Sequence, residues 1–286
     1  MDYLNLKLTA RNHIRYALQE DMDHGDLSTY AVMPDRKQGF VDLICKQDGI
    51  IAGLDVFACV FEELDSSSKT ETYVNDGDEI HKDQIIARVY GDVRALLSGE
   101  RTALNYLQRM SGIATKTRHL VNLLKNTNTT VVDTRKTTPG MRIFEKAATR
   151  IGGAVNHRFN LSDCIMLKDN HINAAGGIGN AVRTARASAP FTCLIEVETE
   201  NINMVKEALE AKADIIMLDN MNLNEVRQAL DLIQGAALTE CSGNITEETA
   251  PVIASLGVDY LSCGALTHSA GILDLSLKHL TVTSHS

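Results

Sequence analysis

The chain has 286 residues and a mass of 31.3 kDa, with 44% hydrophobic and 23% charged residues and only 4 prolines, which excludes a disordered, collagen-like or mucin-like protein and leaves room for one or two folded domains. Twenty-eight Lys and Arg against 37 Asp and Glu give a net charge of −9, a field that repels phosphodiester backbones and anionic membranes and argues against a nucleic-acid partner. The 6 scattered cysteines form no Cys-x-x-Cys pair, the N-terminal residues lack a signal-peptide core, and no run of about 18 apolar residues offers a membrane span, so a cytoplasmic protein with reduced thiols is expected.

Residues 1–111 mix periodicities: a polar-capped helix near 8–20, an alternating strand at Phe40-Val41-Asp42-Leu43-Ile44-Cys45 and a turn at Asn75-Asp76-Gly77 predict an α+β domain. Helical spacing then runs from Val93 to about Lys125, with Leu97, Leu104 and Leu107 on one stripe and Leu120 and Leu124 on a second. The interruption at Ser111-Gly112 marks the expected domain boundary, which gives 112–269 to a second domain. There, short apolar runs alternate with helical segments. The runs are 130–133, 164–168, 193–198, 215–219, 236–240 and 258–262, and Glu198, Asp219 and Glu240 recur at a spacing of 21 residues. A repeating βα unit of that length requires a parallel sheet, and this many in series favours a barrel, whose strands present their C-terminal residues to one site. The alternating segment Leu273–Leu280 breaks the rhythm and is expected to return, with the rest of 270–286, to the first domain.

Between Asp133 and His171 stand 7 Lys and Arg against 4 Asp and Glu, a cationic stretch inside an anionic protein. Arg135, Lys136 and Lys168 lie at or just beyond predicted strand ends, where Arg can grip a carboxylate or phosphate with two hydrogen bonds and Lys supplies a point charge. Arg142, Lys146 and Arg150, four residues apart on one helical segment, read instead as a solvated face. His157 and Arg158 follow a Gly152-Gly153 turn and would be displayed over the same site. No His pair has zinc-site spacing, so the metal expected is a hard cation arriving with a phosphate substrate, with Glu198 and Asp219 as its ligands. Glycine turns at Ser242-Gly243-Asn244, leading to a helix at Thr246, and at Cys263-Gly264-Ala265 offer backbone N–H groups at late strand ends, where barrels hold phosphate. By themselves these residues leave open a Schiff-base enzyme using Lys168, or a phosphate-ligand sensor without turnover.

Glu20-Asp21 with Gly25-Asp26, Glu100-Arg101-Thr102-Ala103-Leu104-Asn105, Asp133-Thr134-Arg135-Lys136-Thr137-Thr138-Pro139-Gly140, Asn156-His157-Arg158, Lys168-Asp169-Asn170-His171, Glu196-Val197-Glu198 and Ser242-Gly243 together resemble the quinolinate phosphoribosyltransferase family along nearly the whole chain. A paralogous pyrophosphorylase-like protein encoded with molybdenum transport shares two of these motifs, and the intact Lys168-Asp169-Asn170-His171 favours the quinolinate enzyme over it. The resemblance implies an incomplete, seven-stranded α/β barrel with an N-terminal α+β sandwich domain, in a homodimer whose active sites are shared. It implies transfer from phosphoribosyl diphosphate to quinolinate with decarboxylation, with Mg²⁺ and no organic cofactor. By the same resemblance Lys136, Lys168, Glu198 and Asp219 are catalytic, and Arg101 reaches a second copy's site. Thr134, Arg135, Lys136, His157, Arg158 and Lys168 would hold the pyridine dicarboxylate and neighbouring phosphates, while Ser242, Gly243, Asn244, Cys263, Gly264 and Ala265 surround phosphate. Glu198 and Asp219 would contact the ribose hydroxyls and the metal. Ala147, Ala154 and Asn244 depart from the residues common in the family at those positions.

Overall fold

In chain order, the computed structural model has α1 (Tyr3–Asp21), α2 (Leu27–Val32), β1 (Gln38–Cys45), β2 (Gly49–Ile50), α3 (Leu54–Leu64), β3 (Lys69–Thr72), β4 (Glu79–Ile80), β5 (Ile85–Asp92) and α4 (Val93–Leu123). There follow β6 (Thr130–Val132), α5 (Arg142–Ile151), β7 (Ile165–Leu167), α6 (Asp169–Ala175), α7 (Ile178–Ser188), β8 (Ile195–Thr199), α8 (Ile202–Glu210), β9 (Ile215–Asp219), α9 (Leu223–Ile233), β10 (Leu238–Ser242), α10 (Thr249–Ala254), β11 (Tyr260–Ser262), α11 (Ala265–His268) and β12 (Leu275–Val282). Residues 3–283 are described; the outermost residues of the expected first domain, 1–2 and 284–286, lie outside them. The chain divides into two compact units, Met1–Arg118 with Thr138–Gly153 and Ser269–Ser286, and His119–Thr137 with Ala154–His268.

In the first unit a four-stranded sheet runs β12-β1-β5-β3, and β2 pairs with β4. The late segment returns as expected: β12 pairs antiparallel with β1, placing Leu277 opposite Leu43, which in turn faces Ala87 of β5. Period-2 alternation delivers Val41 and Leu43 of β1 and Ala87 and Val89 of β5 to one core, where Phe57 and Phe61 from α3 and Leu104 and Leu107 from α4 join them. The predicted interruption at Ser111-Gly112 does not occur, and α4 passes through it unbroken. Those small residues serve packing instead. A Cβ on Gly112 would stand 2.1 Å from the Gly271 carbonyl oxygen, and Ser111 Oγ accepts a hydrogen bond from Ala52 N at 3.0 Å. Residues 138–153, expected in the second domain, also cluster with the first unit, through Phe144 and Ala148 of α5. Lys146, expected on a solvated face, is 1% exposed there.

The second unit is an α/β barrel-like layer built on six parallel strands, ordered β6-β11-β10-β9-β8-β7. Beyond β6 the seventh strand is reduced to a single parallel bridge between Val132 and Val155. Alternation again sorts the side chains. Ile195, Val197, Ile216, Leu218 and Cys241 face Val205, Ala208, Val226 and Ala229 of α8 and α9, which leaves Glu196, Glu198, Met217, Asp219, Glu240 and Ser242 on the opposite face. Two of the βα turns are fixed by local caps. Asn201 caps α8 by accepting from Met204 N at 3.1 Å, and Asn222 caps α9 in a capping box with Glu225. The strand ends are therefore held at defined heights.

Candidate active site

A cavity of about 510 Å³ opens at the C-terminal ends of these strands, and every residue lining it belongs to the second unit. From the β6 side come Thr134, Arg135 and Lys136, and from the segment after the Val155 bridge come His157 and Arg158. Lys168 stands just past β7, Glu198 on β8, Asp219 ends β9, and Ser242, Gly243 and Asn244 close β10. Residues scattered over more than one hundred positions of sequence thus converge because a parallel barrel points every strand's end the same way.

Local bonds fix the cations. Lys136 donates its backbone N–H to Thr134 Oγ1 at 3.0 Å, and its carbonyl accepts from the buried Thr267 hydroxyl at 2.8 Å. Lys168 pairs with Glu198 across the β7–β8 register. Arg158 reaches toward the strands, donating from Nη1 to the Cys164 carbonyl at 3.2 Å and approaching Met166 Sδ at 3.3 Å. Behind it, fully buried Asp133 accepts from His157 N at 2.8 Å and Asn156 Nδ2 at 2.7 Å.

His157 Nε2 lies 3.2 Å from a carboxylate oxygen of Glu196 and 3.2 Å from one of Glu240. Burial alone would lower the imidazole's pKa, but the hydrogen bonds and charges of the two carboxylates outweigh it and push it up to about 10. The Arg158 N–H, 2.7 Å from Nδ1, opposes this, because an imidazolium has no lone pair there to accept it. Two carboxylates against one amide dipole favour the charged ring. Burial, the largest influence on Glu196, raises its pKa against the pull of His157.

Past β10, Gly243 (φ +91°) and Asn244 (φ +50°) make two successive left-handed residues. A Cβ on Gly243 would sit 2.1 Å from Asn220 Oδ1, so any side chain here must displace Asn220. Asn tolerates the second left-handed position better than most residues, which suits Asn244 to this turn. Asn220 ties the turn together: its N–H donates to Ser242 O at 3.0 Å, its Oδ1 accepts from Asn244 Nδ2 at 3.1 Å, and its Nδ2 donates to Asp219 Oδ2 at 2.7 Å. The helix expected at Thr246 begins at Thr249.

Four expected site residues stand elsewhere. Arg101 lines a separate cavity of about 420 Å³ in the first unit with His13, Glu20, Asp21, Asn105 and Arg109. Cys263, Gly264 and Ala265 follow β11 outside the set lining the 510 Å³ cavity, although a Cβ on Gly264 would come within 2.9 Å of Lys136 Cδ, so this glycine sets how that lysine lies. Spacing alone put Glu240 at a strand end. The strand runs on to Ser242, so Glu240 sits mid-strand and 2% exposed. The expectation missed Met166, Met217, Asn220, Glu240 and Ser262 as lining residues and Glu196 as a partner of His157. Alternation in Ile195-Glu196-Val197-Glu198-Thr199, which puts both glutamates on one face, is the signal that would have found the last.

Glu198 and Asp219 present two carboxylates to one cavity at adjacent strands, a donor set that suits Mg²⁺ bound partly through substrate phosphates. Among the described residues, the one cluster of three metal-ligating side chains is His157, Glu196 and Glu240.

Comparison with known proteins gives the relatives of the chain. Residues 26–111 match the quinolinate phosphoribosyl transferase N-terminal domain and residues 113–278 the C-terminal domain of the same family. A probable nicotinate-nucleotide pyrophosphorylase [carboxylating] of Bacillus subtilis is 43% identical over 286 residues, covering 100% of this chain and 97% of that protein. Quinolinate phosphoribosyltransferase [decarboxylating] 2a, mitochondrial, of Nicotiana tabacum is 41% identical over 284 residues, covering 93% of this chain and 80% of that one. The crystal structure of NadC from Streptococcus pyogenes superposes with a TM-score of 0.92 at 46% identity, covering 96% of each chain. The chain belongs to the quinolinate phosphoribosyltransferase family.

Proposed function

We infer that the protein transfers the phosphoribosyl group of phosphoribosyl diphosphate to quinolinate and releases diphosphate and CO₂, forming nicotinate mononucleotide in NAD biosynthesis. The observation that carries this reading is one cavity lined by Arg135, Lys136, His157, Arg158 and Lys168 together with Glu198 and Asp219, in a chain whose two halves both match the family. The quinolinate ring nitrogen already holds the lone pair that attacks the anomeric carbon, so the site needs alignment and charge rather than a general base. In this assignment Arg135, Arg158 and Lys168 grip the two carboxylates and turn the nitrogen toward the ribose. His157 adds positive charge beneath them. Lys136 and the turns at Ser242-Gly243-Asn244 and Gly264-Ala265 receive phosphate groups, and Glu198 and Asp219 hold the ribose hydroxyls and steady the positive charge that builds as diphosphate leaves. Bound by Glu198 and Asp219, Mg²⁺ would supply charge neutralisation to the diphosphate.

As the N–C bond forms and the C–O bond to diphosphate breaks, the pyridine nitrogen becomes cationic. The bond from C2 to its carboxylate then breaks, CO₂ departs, and the electron pair left on C2 is stabilised by the adjacent positive nitrogen until a proton replaces it. The substrate supplies its own electron sink, so no organic cofactor is required.

We further propose a homodimer in which Arg101 completes the cavity of a second copy. Mixing Arg101→Ala subunits with Lys168→Ala subunits is expected to restore part of the activity lost in each; no recovery after demonstrated subunit exchange contradicts sharing. A cytoplasmic setting suits the 6 free cysteines. The reaction itself is tested by incubating the protein with quinolinate, phosphoribosyl diphosphate and Mg²⁺ and following nicotinate mononucleotide and CO₂ by mass spectrometry. Product from quinolinate and none from nicotinate is expected. Turnover of nicotinate alone, or binding of phosphoribosyl diphosphate without any turnover, overturns the assignment.

A further inference from the structure

The cations facing the cavity stand in front of a layer of buried anions. Asp133, Glu196 and Glu240 are 0%, 0% and 2% exposed, and each touches the segment Asn156-His157-Arg158. Asp133 is engaged in the ordinary way, one oxygen accepting from a backbone N–H and the other from an amide. The two glutamates are not. Both direct an oxygen at the same His157 Nε2, whose single N–H cannot point at two acceptors at once, and both oxygens of Glu196 and Oε1 of Glu240 have no hydrogen-bond partner among the described residues.

Two buried like charges sharing one counter-ion form a poor device for holding a fold together. Each carboxylate is costly to desolvate, each repels the other, and an amide of the same shape would fill the space without the charge. Strand geometry nevertheless aims both at the ring from β8 and β10, one on either side of β9. What the pair provides is a two-sided grip on an imidazole that is itself joined to the neighbouring Arg158.

We propose that Glu196 and Glu240 are positioning residues for the dicarboxylate end of the substrate, clamping the His157 ring between two strands so that Arg158 and His157 meet the substrate carboxylates at a fixed angle. This rests on the reading of the cavity as the quinolinate site. Neither glutamate bonds the substrate. Glu196 lies behind the imidazole, which screens the incoming dicarboxylate from it, while Glu240, 2% exposed in the cavity wall, turns an oxygen to the same ring, and the arrangement sacrifices some stability for orientation.

The test is Glu240→Gln, which keeps the volume and removes the charge, with Glu196→Gln as a second variant. Initial rates are measured while quinolinate and phosphoribosyl diphosphate are varied separately, and thermal unfolding is followed alongside. The expected result is a KM for quinolinate raised by about 10- to 100-fold, the range for losing a charge-assisted contact, with the KM for phosphoribosyl diphosphate near that of the wild type and Tm unchanged or higher. Glu240→Asp, which keeps the charge, is expected to recover most of the loss. A merely structural role predicts the opposite division: Tm and kcat falling together with KM for quinolinate unmoved, or failure of both Gln variants to fold, and either outcome overturns the clamp. Wild-type protein that does not turn over quinolinate defeats the functional reading itself, whereas an active wild type with normal Gln variants defeats the clamp alone.

Discussion

Two pairs of buried carboxylates, one pair in each unit, are treated in opposite ways. In the first, fully buried Glu145 accepts from Arg109 at 2.7 and 3.1 Å and from the Thr138 N–H and hydroxyl at 3.0 Å each, and buried Asp42 takes a two-pronged bond from Arg88 at 2.6 and 3.0 Å that holds its carboxyl below the usual range. In the second, Glu196 and Glu240 share one imidazole, and both oxygens of Glu196 and one of Glu240 have no hydrogen-bond donor among the described residues. Both oxygens of Glu145 and both of Asp42, by contrast, have a donor. Where a cationic cavity must be oriented, satisfaction is incomplete, as expected of sites that trade stability for function.

The contrast can be broken at its functional end first. Lys136→Ala and Arg158→Ala are expected to lower kcat/KM by about 10²- to 10³-fold, the scale of a preorganised charge removed from a reacting centre. Because Lys136 is exposed, its loss should leave the urea midpoint close to the wild-type value. A matching drop in midpoint would mean that the cationic loop serves the fold.

The same contrast sharpens when the first unit's pair is cut. Glu145→Ala leaves Arg109 without its carboxylate and is expected to cost about 3–5 kcal/mol in urea unfolding, the usual penalty for stripping one partner from a buried ion pair. Glu240→Gln should cost nothing by the same measurement. Equal losses in the two variants would erase the distinction between the units.

A smaller effect is expected at the turn after β10. Gly243→Ala must displace the Asn220 side chain and adopt φ +91°, so the KM for phosphoribosyl diphosphate should rise by about tenfold, in keeping with roughly 1–3 kcal/mol of backbone strain, while that for quinolinate stays near normal. Equal changes in both constants would separate this turn from phosphate binding.

The smallest is a pH effect in the first unit. Burial pushes the Asp76 carboxyl up to about 6, although it accepts from Gly53 N and Leu54 N at the start of α3. A carboxyl raised in this way favours the folded state most below its ordinary value of 3.8, and that contribution falls as pH rises through 6. Asp76→Asn keeps an acceptor for the two amides and removes the titration. Its stability relative to the wild type should therefore grow by on the order of 1 kcal/mol between pH 4 and pH 7, read by thermal unfolding at each pH. A flat difference across that window contradicts the assignment.

What could be read from the sequence divides along similar lines. The βα rhythm, the return of 273–280 to β1 and the gathering of Arg135, Lys136, Arg158, Lys168, Glu198 and Asp219 were legible because period and strand-end position are local properties of the chain. Three features were not. Ser111-Gly112 looks like a break, and only the approach of Gly271 shows why small residues sit within a continuous helix. Lys146 shares the spacing of solvated charge and is buried, because helical period gives a face but not what packs against it. Glu240 sits at the repeat spacing of Asp219, yet β10 extends two residues further, which turns an expected mouth residue into an interior one. Its partnership with Glu196 depends on register between separate strands, which no single stretch of sequence records.

The most direct test of the account is the structure of the protein with quinolinate bound. The pyridine ring should lie in the second unit's cavity, one carboxylate within hydrogen-bond distance of Arg158 and the other near Arg135 or Lys168, with the ring nitrogen turned toward Glu198 and Asp219. Quinolinate seated against Arg101 and Arg109 in the first unit, with the barrel cavity left empty, would contradict it.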